Sequence, residues 1–125
     1  MSFVVSSFYG IFPCMDSWHS SYLHEIEQAK LARLSRNEGR ARVCARRAAS
    51  ILIAEYLTRQ GNQAPSSSAQ VRLRYLSKLP GLSPAAYEIT SHLLMRVDES
   101  FSLPDDIDLI ADVQHLAQEL SIQIN

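Results

Sequence analysis

Apolar residues recur along this chain at intervals of three and four, with polar positions between them, in five separate stretches. That is the period of helices that each turn one face to a core. The spacing predicts a first helix over 17–34, opened by Asp16 or Ser17 as N-cap. Leu23, Ile26, Lys30 and Leu34 trace one row of it, with Trp18, Tyr22 and Ala29 beside that row. Glu25 and Glu27 precede Lys30 and Arg33, the order that suits the helix dipole. After a short break, Ser35-Arg36-Asn37-Glu38 matches the Ser-x-x-Glu capping box. A second helix follows over 39–60 and stops at Gly61, a favoured C′ residue. Its stripe of Ala41, Cys44, Ala45, Ala48, Ile51 and Leu52 consists mostly of small side chains. Small residues let helix axes approach closely, so this helix is expected at the centre.

Residues 61–68, GNQAPSSS, read as a loop. A third helix is expected over 67–79, with Val71, Tyr75, Leu76 and Leu79 inward and Pro80-Gly81 closing it. Ser83-Pro84 is the favoured N-cap and first-turn pair for a fourth helix, 84–97, with Ala86, Ile89, Leu93 and Val97 on one stripe. Ser102-Leu103-Pro104-Asp105 opens a fifth, reaching residue 121, whose inward row is Ile107, Ile110, Val113, Ala117 and Leu120. No repeat, linker or useful alternating run interrupts this pattern. The expected fold class is all-α, a compact antiparallel bundle of about five helices. Residues 1–15, MSFVVSSFYGIFPCM, have no period and are broken by Gly10 and Pro13. They are expected to form an irregular apolar arm ahead of a bundle domain at 16–125.

Composition narrows the function classes. At 125 residues and 14.0 kDa the chain is one ordinary domain. A 46% hydrophobic and 20% charged composition argues against disorder. A formal charge of -1 excludes nucleic-acid binding driven by net charge alone. Cys14 and Cys44 lack CxxC spacing and read as free thiols of a reducing compartment. No run approaches the ~18 apolar residues of a membrane span. The first basic residue is Lys30, so no positive n-region marks a secretory leader. A cytoplasmic location without membrane attachment is expected.

The run from Ser35 through Gly39, Ala45, Ala48 and Ala49, ending in Ala54-Glu55-Tyr56-Leu57-Thr58-Arg59-Gln60-Gly61, resembles the second helix of HEPN-like proteins. In that family a Gly precedes an Ala-rich helix with a double-Ala step, Leu-rich residues and a closing Gly. Pro65, Leu79-Pro80 and the final helix fall in matching places, so the resemblance covers about residues 17–121. It implies a helical bundle and a homodimer built on helices paired across a two-fold axis. The ribonucleases of that family use an Arg followed by a His four to six residues later. None of His19, His24, His92 or His115 has such an Arg, and Ser50 stands where the family tends to place an acid or amide. RNA cleavage is therefore not implied.

Charge is unevenly spread. Seven of the twelve basic residues lie within 30–47, and seven of the thirteen acidic ones at or after Asp98. Arg36, Arg40, Arg42, Arg46 and Arg47 are candidates for binding RNA or another anion. The alternative is that this region neutralises the acidic C-terminal segment, within the chain or across a dimer. No aromatics interleave with the arginines, so base stacking has little support. Glu55 falls on the apolar side of the second helix and needs a partner there, with Arg96 as candidate. Glu55, His92 and Arg96 make up a candidate polar site, with a structural ion pair as the plain alternative for Glu55. His19 and His24 are poorly spaced as helix ligands. The Asp105–Asp112 group lacks the Gly and closing Glu of a calcium loop. Neither metal nor cofactor is expected, and no phosphate loop, HExxH or GxSxG motif is present.

The expected role is that of a non-catalytic homodimeric interaction module, with a nucleotidyltransferase-type protein as a further partner. An RNA- or anion-binding module using Lys30–Arg47 is the alternative. An unusual ribonuclease-like enzyme with a degenerate site is a third reading.

Overall fold

The computed structural model describes residues 17–95 and 107–122. Among these, five helices and no strand occur: α1 (Ser17–Leu34), α2 (Glu38–Arg59), α3 (Ala69–Ser77), α4 (Pro84–Leu94) and α5 (Leu109–Glu119). The all-α bundle expected from the periodicity is therefore the observed fold. None of the helices is long and apolar enough to cross a membrane. The apolar arm at 1–15, Arg96, Val97 and the Ser102–Asp105 helix start lie outside the described residues.

A tight turn joins α1 to α2. The amide of Asn37 donates to Ala32 O and that of Arg36 to Arg33 O, so α1 closes in a Schellman motif. Arg36 occupies the left-handed position, φ 60°, where Gly is usual. The Asn37 side chain then accepts from the amide of Arg40 and caps α2. The cap is thus Asn37 and not the Ser35 of the expected capping box. A two-residue shift of the start lets one turn close one helix and open the next. Gly61, φ 80°, closes α2 as its position predicts.

Helix α2 packs against α1, α3 and α5, and α4 completes the bundle by packing on α3 and α5. Its central place follows from the alanines: Ala41, Cys44, Ala45, Ala48 and Ala49 are all buried. The main core joins Tyr22 and Ile26 of α1 to Leu52, Ile53 and Leu57 of α2, Leu73 and Leu76 of α3, Ile89 and Leu93 of α4, and Val113 and Leu116 of α5. Ala29, Cys44 and Ile110 form a smaller cluster beside it.

Two helices are rotated from their expected faces. In α1 the buried row is Tyr22, Ile26, Ala29 and Ala32, while Leu23 and Leu34 face outward. In α3, Leu73 and Leu76 are buried and Val71 and Tyr75 are exposed. Helix α5 starts at an Asp108 N-cap, whose carboxylate accepts from the amides of Ile110 and Ala111.

Candidate functional site

The arginines of residues 33–47 do not form one patch. Arg36 sits in the α1–α2 turn. Arg40 and Arg47, two helical turns apart, are exposed and lie near the Cys44 thiol. Burial pushes that thiol up, Glu25 adds to the effect, and Arg40 and Arg47 oppose it. A raised thiol pKa disfavours the nucleophilic thiolate. Arg42 and Arg46 instead line a cavity of about 540 Å³ between α2, α3 and the end of α4.

Arg46 is anchored in that cavity by backbone. Its Nε donates to Leu93 O at 2.8 Å and its Nη2 to Met95 O at 3.1 Å. These carbonyls end α4 and have no intrahelical donor, so the guanidinium acts as their cap. Burial, and then the charge of Arg42, pull the Arg46 pKa below its ordinary value.

Three further arginines work as structural ties. Arg33 lies 3.3 Å from Glu38 and 2.8 Å from Asp108, tying the end of α1 to the starts of α2 and α5. Arg72 donates from Nη1 to Ser50 O and Oγ, at 3.3 and 3.1 Å, and from Nε to Ser66 O. Ser50 is thus a buried docking point for α3. Arg59 pairs with Glu55 at 2.8 Å and lies over the Trp18 ring. Glu55 therefore finds its partner one turn ahead on α2 and forms a structural ion pair, the plainer of the two expectations for it. The expected pairing of basic and acidic segments occurs within the chain through Arg33, a residue outside the candidate arginine set.

The His92 Nδ1 lies 2.9 Å from Asp112 Oδ2 and its Nε2 3.9 Å from Glu88 Oε2. This joins α4 to α5. No hydroxyl or thiol among the described residues bonds to the ring, so a nucleophile–base–orienter relay is not assembled there. Nor does any group of three His, Cys, Asp or Glu side chains among the described residues stand ready for a metal.

Asp108 combines two jobs. Burial raises its carboxyl pKa, but the Arg33 hydrogen bond and the amides of Ala111 and Ile110 outweigh this and hold it below the usual carboxylate range. Its stabilising contribution is present above the unfolded pKa of about 4 and is lost as pH falls through the folded value. Asp108→Asn keeps the cap and is expected to cost under about 1 kcal/mol, because the ion pair is exposed. Asp108→Ala removes the cap as well and is expected to cost about 1–2 kcal/mol. Thermal melts at neutral pH and at about pH 3 check both, the gap between wild type and Asp108→Asn closing in acid.

A second large concavity, about 850 Å³, runs between α1 and α5. Tyr22, Leu23 and Ile26 form its α1 wall, and Ala117 and Ile122 its apolar floor on the other side. Beside it, Leu23, Leu31 and Leu34 are 42%, 46% and 81% exposed. Spaced eight and three apart, they share one face of α1. No known protein family, curated protein or solved structure matches the chain. Function is then to be read from these surfaces. The periodicity does not reveal this face of α1, because it places Leu23 and Leu34 on the inward row.

Proposed function

We propose that this protein is a non-catalytic interaction module that works as a homodimer, joined through α1 and the α1–α5 groove. The observation that carries this reading is the set of leucines on α1, three large apolar side chains left in water beside a groove with an apolar floor and polar rim. Large exposed apolar side chains gathered on one face mark contact sites. The residues are also self-complementary. Two antiparallel copies of α1, crossing at the midpoint between Gln28 and Ala29, bring Leu23 opposite Leu34 and Glu27 opposite Lys30. A two-fold interface requires such reciprocity. The leucines would provide most of the affinity and the Glu27–Lys30 pairs the register.

The resemblance to HEPN-like proteins supports the same reading and adds a protein partner of nucleotidyltransferase type. RNA binding is the second reading. In its favour, Arg36, Arg40, Arg42 and Arg47 have no ion pair among the described residues. Against it, Arg36 sits in the α1–α2 turn, and Arg42 lies on the other side of α2 from Arg40 and Arg47.

Light scattering at micromolar concentration tests the dimer. A dimer in both low and high salt is expected. A monomer in both conditions contradicts the proposal, and dissociation in salt alone would transfer the main contribution from leucines to charges.

A further inference from the structure

We propose that the cavity between α2, α3 and the end of α4 binds a small organic anion with an apolar body, a medium-chain carboxylate, with its headgroup held by Arg42 and Arg46. The cavity, at about 540 Å³, has the size of a small-molecule site. Its walls divide by chemistry. Val43 and Leu94 offer an apolar surface backed by the buried Leu73 and Leu93, while Arg42 and Arg46 lie one helical turn apart on α2.

Arg46 is half-buried, and among the described residues no carboxylate lies within ion-pair distance of it or of Arg42. Among the described residues, two like charges therefore face one concavity without a counter-charge, an arrangement that an entering anion relieves. The bonds to Leu93 O and Met95 O use Arg46 Nε and one Nη2 hydrogen. They hold the guanidinium in place and leave both Nη1 hydrogens to donate. Preorganised donors of this kind lose little freedom on binding. Gly39 lines the same cavity in the first turn of α2, with the Arg42 guanidinium beside it.

Carboxylate chemistry suits both halves. Its two oxygens accept from neighbouring guanidiniums, and an alkyl chain covers the Val43 and Leu94 side chains. The site lies on the opposite flank of α2 from Arg40 and Arg47 and involves no residue of the α1–α5 groove. It therefore stands or falls independently of the dimer.

The test is titration of the full chain with octanoate and, separately, with octanol, followed by backbone amide chemical shifts. Octanoate is expected to bind with shifts centred on Gly39, Val43 and Gln70, and octanol about tenfold more weakly or worse. Arg42→Gln, which removes none of the bonds that hold α4, is expected to weaken octanoate about tenfold at an unchanged melting temperature. Absence of octanoate binding, equal binding of octanol, wild-type affinity in Arg42→Gln, or shifts centred on the α1–α5 groove would each overturn the proposal.

Discussion

Enlarging Ala48 to leucine is expected to destabilise the protein by about 1–3 kcal/mol. Ala48 is fully buried in the central helix, flanked on its face by the equally buried Ala45, Ala49 and Leu52. The axis of α2 is close to its neighbours because these side chains are small. At a fully buried position in a close-packed core, added methylenes force a neighbouring helix to shift or the leucine out of its rotamer well. A fall of several degrees in melting temperature is the readout for a domain of this size. Arg47→Ala, on the exposed side of the same helix, is expected to remain within about 0.5 kcal/mol of wild type. An Ala48→Leu protein that melts with wild type would contradict the central position of α2.

Raising the pH is expected to destabilise the protein through Tyr22. This residue is 3% exposed, and burial pushes its hydroxyl up to about 12. In the unfolded chain a tyrosine ionises near pH 10. Between those values the native state retains a proton that the unfolded state has released, so stability falls as pH rises. The contribution is intact below about pH 10, and its full loss amounts to about 2–3 kcal/mol. Tyr22→Phe cannot ionise. Urea midpoints at about pH 9 and about pH 11 should therefore converge in Tyr22→Phe relative to wild type. Equal losses in both proteins would place the alkaline sensitivity elsewhere.

The elements legible in the sequence were those with local signals. Ser83-Pro84, Gly61 and the alanine spacing of α2 each act within a turn or two of themselves, and all three are realised. The face of α1 was not legible. Its buried row uses Ala29 and Ala32 while leucines lie outside, so apolar residues surround the helix and periodicity cannot choose a side. The same ambiguity rotated α3, where Val71 and Tyr75 compete with Leu73 and Leu76. At the α1–α2 turn, Ser35 and Asn37 are rival caps, and the Schellman closure through Arg36 decides for Asn37.

The arginines were legible as a group but not by role. Arg46 and Arg72 make bonds to backbone carbonyls of Leu93, Met95, Ser50 and Ser66, acceptors that every residue carries and no motif announces. Arg33 meets Asp108 across 75 positions of chain, a pairing that only the packed helices create. Of the candidate polar set, Glu55 and His92 acquire separate partners, Arg59 and Asp112. They do not converge on one site.

Leu34 gives the most direct access to association through α1. At 81% exposure it contributes little to the fold of a single chain, yet in the antiparallel register it meets Leu23 of the second copy twice over. Sedimentation equilibrium of wild type and Leu34→Glu at micromolar concentration is the decisive measurement. Wild type is predicted to be a dimer, and Leu34→Glu a monomer of unchanged helical content. A monomeric wild type, or a Leu34→Glu protein that remains dimeric, would contradict the account.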